Sequence, residues 1–244
     1  MEICMRSNGR ENSELRQVSI IRNYTKYAEG SVMIEYGETK VLCNATIEDQ
    51  VPIFLQGKNR GWVSAEYSML PRATHTRNKR DTTVGRGVNP RAQEISRLIG
   101  RSLRACVDLT QLGERQILID CDVVQADGGT RTASITGAFV ALHDALTQLV
   151  ESGKIIQHPI KQFLAAVSVG VYKGCPLLDL DYNEDCSCDS DINFVMLEDL
   201  QMVEIQGAAE GAAFSRGEMN KLIDLAEIGI TKLVSLQKQI LAIK

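Results

Sequence analysis

From Val18 onward the chain alternates apolar and polar positions in short runs, the period of half-buried β-strands. These runs fall at residues 18–22, 31–36, 40–47 and 62–67, and Gly37-Glu38-Thr39 separates the second from the third as a tight hairpin turn. The period then changes to that of a helix, with Ile95, Leu98, Ile99, Ser102, Leu103 and Cys106 on one face. Asn89 suits the N-cap of this helix, Pro90 suits its first turn, and Gly113 is expected to end it. Residues 117–124 are rich in β-branched and aliphatic side chains and read as a buried strand. That strand runs into Gly128-Gly129, and a second helix follows, marked by Ile135, Ala138, Phe139, Leu142, Ala145, Leu146 and Leu149. Four more strands are predicted at 163–172, 177–182, 192–197 and 202–206, with turns at Lys173-Gly174 and Glu198-Asp199. Ser215 and Glu218 have capping-box spacing ahead of a long amphipathic helix carrying Leu222, Ala226, Ile230, Leu233 and Val234. The order predicts an α+β fold of two strand-rich halves with helices packed on the sheets.

Two stretches lack such a pattern. Residues 1–15 are polar and are expected to be loosely held. Residues 69–89 show no periodicity and are broken by Pro71, Gly85 and Gly87, which predicts a long, mobile, basic loop of the kind that is usually functional.

Composition changes this picture little, since 44% hydrophobic and 24% charged residues are ordinary for a globular chain. No apolar run approaches a membrane span, and no signal-peptide pattern precedes Val18. Seven scattered cysteines without a C-x-x-C pair read as reduced thiols of a cytoplasmic protein. Cys186-x-Cys188 is the closest pair, and its spacing is a weak metal signal. Charge says more. The net charge is −4, yet residues 72–104 hold nine basic side chains against Asp81 and Glu94. Either that region holds an anionic partner or it is a solvated basic face.

Three features carry candidate chemistry. Gly128-Gly129 lets the backbone approach a ligand, and the helix that opens there presents unpaired N–H groups, the hydroxyl of Thr130 and the forked donors of Arg131. An ordinary strand–helix turn with a surface arginine fits that stretch equally well. Arg91, in the first turn of its helix, opposes the helix dipole unless an anion is present. Residues 178–191 carry six acids and no base. Strand alternation would place Asp179 and Asp181 on one face, while Asp185 and Asp191 flank a loop where they can converge. Two close carboxylates suit Mg²⁺ or hold one proton as an acid, and a solvated acidic hairpin is the alternative. An anion-binding turn, a basic loop and a carboxylate pair together point to phosphoryl transfer on a polyanion.

Gln125-Ala-Asp-Gly-Gly-Thr-Arg-Thr-Ala-Ser-Ile-Thr-Gly137 resembles the signature of ribonuclease PH. Ala65-Glu-Tyr-Ser-Met-Leu-Pro-Arg72, Thr74-His-Thr-Arg77, Glu94-Ile-Ser-Arg-Leu-Ile-Gly-Arg-Ser-Leu-Arg104, Asn23-Tyr-Thr-Lys-Tyr-Ala-Glu-Gly-Ser31, Ile119-Asp-Cys-Asp122 and Glu204-Ile-Gln-Gly207 are similar as well, in order along the chain. The resemblance implies a ribonuclease PH-like fold (ribosomal protein S5 domain 2-like) in a single catalytic domain over residues 1–244, shared with exosome core subunits and polynucleotide phosphorylase. It also implies a phosphorolytic 3′→5′ exoribonuclease that trims tRNA precursors, assembled as a homo-hexamer, a trimer of dimers. By position in the family, inorganic phosphate falls to Arg91, Gly129, Thr130 and Arg131. Asp185 and Asp191 match the catalytic aspartates that bind Mg²⁺ or serve as the acid, and Arg72, Arg77 and Arg80 match the loop arginines that grip tRNA. This chain departs from the family where Pro90 and Ala92 flank Arg91 and where Cys186 and Cys188 replace small residues after Asp185. Rival expectations are a metal-dependent hydrolase, with water as nucleophile, and a ring subunit that only binds RNA. The second should lack the phosphate arginines or the aspartates, and this chain has both.

Overall fold

The computed structural model describes residues 6, 9–79, 89–210 and 213–243. Strands β1 (Val18–Arg22), β2 (Gly30–Tyr36) and β3 (Thr39–Glu48) form an antiparallel meander, and alternate residues of β3 are buried, as its period predicts. Strand β4 (Trp62–Met69) leads through α1 (Pro90–Ala105) to β5 (Gln116–Gln125), which runs parallel to β4 and antiparallel to β3. Parallel neighbours need such a crossover. The first sheet is therefore ordered β1-β2-β3-β5-β4. Asn89 caps α1 by accepting from the Arg91 N–H at 3.0 Å, with Pro90 in its first turn.

Helix α2 (Thr130–Glu151) is buried around nearly its whole circumference, which only a helix enclosed on several sides can be. It packs on β2 and β3 of the first sheet and on β6 (Leu164–Tyr172) of the second. Gly137 permits the close approach on the first side, since a Cβ there would lie 2.7 Å from the Ile34 side chain. The second sheet is antiparallel and ordered β7-β6-β8-β9, with β7 (Cys175–Leu178), β8 (Ser190–Leu197) and β9 (Met202–Ala209). A one-turn helix α3 (Tyr182–Asp185) joins β7 to β8, and α4 (Arg216–Leu241) covers β6 and β7 from behind the expected Ser215–Glu218 capping box. One apolar core runs through both halves around α2. None of the described helices is long and apolar enough to cross a membrane.

The structure corrects the expectations in four places. Helix α1 ends at Ala105 with Cys106 as its C-cap, well ahead of Gly113. The strand expected over 177–182 stops at Leu178, because Asp179 takes a left-handed φ of +55° and Asp181 becomes the N-cap of α3. Asp179 and Asp181 therefore do not share a strand face. The polar start of the chain, where it is described, is also bound rather than loose. The Arg6 guanidinium is buried and donates to Glu184 at 2.7 and 2.6 Å, to the Leu178 carbonyl at 2.9 Å and to the Asp179 carbonyl at 3.0 Å. Arg10 donates to the Asp179 carbonyl at 3.0 Å and to Glu184 at 3.3 Å. Breaking one side of a buried pair leaves the other charge without compensation, so Arg6→Met is expected to cost about 3–5 kcal/mol. Urea unfolding measures this, and an unchanged midpoint would refute the bracing role. Among the cysteines, Cys43, Cys106, Cys121, Cys186 and Cys188 are free thiols as expected, but Cys175 is disulfide-bonded, which corrects the all-reduced reading.

Candidate active site

The turn between β5 and α2 has the backbone its glycines predict, with φ of +76° at Gly128 and +64° at Gly129. Any side chain at Gly128 would be doubly penalised, because its Cβ would fall 2.6 Å from the Leu180 carbonyl oxygen and 2.9 Å from the Tyr182 nitrogen. The turn thus lies directly against the backbone that leads to Asp185. Gly129 is the N-cap of α2 and brings no capping side chain, so the first-turn N–H groups are left to a ligand or solvent. The Thr130 hydroxyl pairs with the Tyr67 hydroxyl at 2.8 Å, which leaves its backbone N–H as the simpler contact for an anion.

Arg131 points across to the second sheet. Its guanidinium donates to the Gln206 side-chain oxygen on β9 at 2.6 Å and lies 3.7 Å from Glu94 on α1. The Gln206 amide in turn donates to Glu94 at 2.5 Å. Two other elements, β9 and α1, therefore hold this α2 arginine in place. Arg91 is exposed at the start of α1, and its charge reaches both Asp185 and Asp191.

The two aspartates come from the second half. Asp185 is the last residue of α3, and Asp191 is the second residue of β8, opposite Gly170 on β6 and Ala208 on β9. Burial raises the Asp185 carboxyl above its usual range, opposed by Arg91, Arg131 and Arg16. Asp191 is raised to about 6, first by burial and then by the charge of Asp185, with Arg131 pulling the other way. One Asp191 oxygen, Oδ1, is buried with no protein partner, whereas Oδ2 meets the Asn193 amide at 3.5 Å. An orphaned carboxylate oxygen beside a second carboxylate suits a proton or a hard cation. No set of three or more His, Cys, Asp or Glu ligands occurs among the described residues. Mg²⁺ here would keep most of its shell as water and substrate oxygen, which is its habit.

Arg91, Gly129, Thr130, Arg131, Asp185 and Asp191 all line one open cavity of about 940 Å³. They are spread along the chain from the start of α1 to the start of β8, and the fold brings them together where the first half meets the second. Of the loop arginines, Arg72 and Arg77 are exposed, and their neighbours Thr74, His75, Thr76 and Asn78 wall the mouth of this cavity. Arg80 lies outside the described residues, as does much of the predicted loop. His75 packs edge-on against Tyr182, with ring centroids 5.7 Å apart, while His143 and His158 stack on each other away from the cavity. Trp62 packs edge-on against Phe54 and under the Arg104 guanidinium, outside the cavity lining.

The two-sheet fold thus sets a glycine turn and two arginines around a pair of carboxylates in one cavity. The chain belongs to the 3′ exoribonuclease family (ribonuclease PH): residues 14–148 match its domain 1 and residues 162–229 its domain 2. Solved structures share the fold. The rice (Oryza sativa) protein Rrp46 superposes with a TM-score of 0.76 at 19% identity, over 97% of this chain and all of that one. A chain of the Archaeoglobus fulgidus exosome with RNA bound to the active site gives 0.78 at 22%, over 94% and 91% of the two chains. A chain of an archaeal exosome core gives 0.77 at 21%, over 96% and 91%.

Sequence reasoning missed the supports of the site. Gln206 and Glu94 were each visible only as members of family-like motifs, Glu94 also as an acid in a basic segment, and neither was given a role. Their role depends on β9 lying beside α1, which no local pattern reveals. Arg16 and Asp179, which brace the glycine turn from behind, were missed for the same reason.

Proposed function

We propose that this chain is a cytoplasmic phosphorolytic 3′→5′ exoribonuclease that trims the 3′ ends of tRNA precursors. The observation that carries the reading is the convergence of Arg91, Arg131 and the Gly128-Gly129 turn with Asp185 and Asp191 in one cavity. Inorganic phosphate sits at the N-terminus of α2, between the two arginines and the turn N–H groups. A phosphate oxygen attacks the phosphorus of the last RNA phosphodiester. The bond to the 3′-oxygen of the penultimate nucleotide breaks, and that oxygen takes a proton. The products are a nucleoside diphosphate and an RNA one nucleotide shorter; the reverse reaction adds a nucleotide. Because two anions must meet, the arginines serve chiefly to offset repulsion and to align the nucleophile. Asp185 and Asp191 would hold Mg²⁺, which would stabilise charge on the leaving oxygen. With its raised carboxyl, Asp191 can equally supply the proton. The five free thiols among the described residues accord with a reducing compartment, and the bonded Cys175 does not.

The deciding experiment incubates the protein and Mg²⁺ with a tRNA precursor, with and without phosphate, and identifies the released nucleotide. Nucleoside diphosphates that appear only with phosphate are expected. Nucleoside monophosphates would mean hydrolysis by the same carboxylates. No product, with retained RNA binding, would mean a non-catalytic ring subunit, a reading that the presence of both arginines and both aspartates disfavours.

The basic loop carries a separate prediction. Arg72 and Arg77, exposed beside the cavity mouth, would touch the RNA backbone, as Arg80 would by family position. Replacing Arg72 and Arg77 with alanine should weaken binding of a tRNA precursor and lower its log–log salt slope by about one for each arginine that pairs with a phosphate. Turnover of a short oligoribonucleotide should hold. Equal losses on both substrates would count against a tRNA-gripping loop. A homo-hexamer of three dimers is expected in solution, and exposed apolar side chains such as Ile53, Met202 and Ile205 are available for subunit packing. Sedimentation mass checks it.

A further inference from the structure

Arg16 lies just ahead of β1, outside the cavity lining, yet it binds the phosphate turn through several donors at once. It is only 8% exposed. Its Nε and one terminal nitrogen donate to the two oxygens of Asp179 at 3.0 and 2.7 Å, and its backbone N–H adds a third hydrogen bond at 2.8 Å. The other terminal nitrogen donates to the Asp127 carbonyl at 2.5 Å, and the one already on Asp179 also reaches the Gly128 carbonyl at 3.4 Å. Thr39 donates to the same Gly128 carbonyl at 2.7 Å. Asp179 is 1% exposed and is held in a left-handed conformation that aliphatic residues avoid.

These hydrogen bonds have a geometric consequence. In a planar trans peptide the C=O and the following N–H point in opposite directions. With the carbonyls of Asp127 and Gly128 drawn toward Arg16, the N–H groups of Gly128 and Gly129 are turned the other way, toward the cavity both glycines line. The partner of Arg16 matters equally. Asp179 begins the segment that caps α3 and ends at Asp185, and it belongs to the second half of the fold whereas the turn belongs to the first. We propose that Arg16 and Asp179 are positioning residues: one buried ion pair orients the N–H groups that receive phosphate and sets their spacing from the carboxylate segment. The proposal rests on the reading of the turn as a phosphate site.

A merely structural ion pair predicts lost stability and a general loss of activity. A positioning pair predicts a selective loss toward phosphate. Arg16→Lys keeps the charge but not the fork, so it cannot hold Asp179 and both carbonyls at once. Asp179→Asn keeps the shape and removes the charge. Both are assayed for phosphorolysis of an oligoribonucleotide, varying phosphate and RNA separately, well below each variant's melting temperature. The expected result for Arg16→Lys is a fall of about 10–100-fold in kcat/KM for phosphate, the scale of a small misplacement, with RNA affinity within about twofold of wild type. In parallel, inorganic phosphate alone should raise the melting temperature of the wild type and not that of Arg16→Lys. A variant with unchanged kcat/KM for phosphate and a wild-type thermal response overturns the proposal, as does an equal loss toward RNA and phosphate. Should Asp179→Asn fail to fold, the Arg16→Lys comparison decides alone. Should the wild type show neither phosphate-dependent turnover nor a thermal response, the phosphate reading itself fails and takes this inference with it.

Discussion

Arg131→Ala is expected to lower the rate of phosphate-dependent nucleotide release by about 10²–10³-fold, with the fold unaffected. The magnitude is that of removing one preorganised charge donor from a site where charge develops. Preorganisation is visible in its surroundings: Gln206 on β9 takes one guanidinium N–H at 2.6 Å, and Glu94 on α1 lies 3.7 Å away and holds the Gln206 amide. An arginine fixed in this way loses little side-chain freedom when phosphate arrives, so its removal costs alignment as well as charge. The side chain is partly exposed and its partners reach solvent, so melting should shift by no more than a degree or two. Steady-state release of nucleoside diphosphate at saturating RNA is the measurement. An Arg131→Ala protein with wild-type turnover would remove this arginine from the reaction.

How much of this site was legible in the chain differs by feature. Strong local periodicity carried the fold: the strand at Val18–Arg22 has the predicted bounds, and Asn89 and Pro90 start α1 as their chemistry requires. The glycine turn was legible as backbone, since two adjacent glycines ahead of an apolar helix predict the positive φ that Gly128 and Gly129 both adopt, but its use was not, because an ordinary strand–helix turn has the same pattern. What failed were features decided by partners far away in sequence. Leu177 to Tyr182 reads as a strand by alternation, but Asp179 gives its carboxylate to Arg16 and its carbonyl to Arg6 and Arg10, and no strand geometry serves all three. The same hydrogen bonds turn a polar, loose-looking start into a brace. Tertiary structure overrode local pattern there, as it did at Gln206. The acidic stretch is therefore two things at once. Asp179 and Glu184 are buried in ion pairs that hold the loop, while Asp185 and Asp191 are left to the cavity.

That division predicts an opposite pair of effects for Asp191→Asn: activity lowered by at least about 10²-fold, and stability gained at neutral pH. The carboxyl is raised to about 6 by burial and by Asp185, against about 3.9 in an unfolded chain. The folded protein thus binds this proton more tightly than the unfolded one. Its contribution to stability is fully present below about pH 4 and is lost as the pH rises through about 6. Above that, the wild type carries a partly buried anion whose Oδ1 has no protein partner. An amide carries no charge to desolvate, so in Mg²⁺-free buffer at pH 7.5 Asp191→Asn should be more stable by on the order of 1–3 kcal/mol, and the gain should shrink toward pH 4. Added Mg²⁺ should raise the melting temperature of the wild type more than that of the variant if the carboxylate is the ligand. If instead Asp191 serves as the acid, the wild-type rate should fall as the pH rises through about 6, whereas a ligand role makes it rise over the same interval. Thermal melts at pH 4.5 and 7.5, with and without Mg²⁺, together with nucleotide release across that range, separate these outcomes. A variant that is both less stable at pH 7.5 and fully active would show that the buried carboxylate is a structural group, and the cavity would lose its candidate acid.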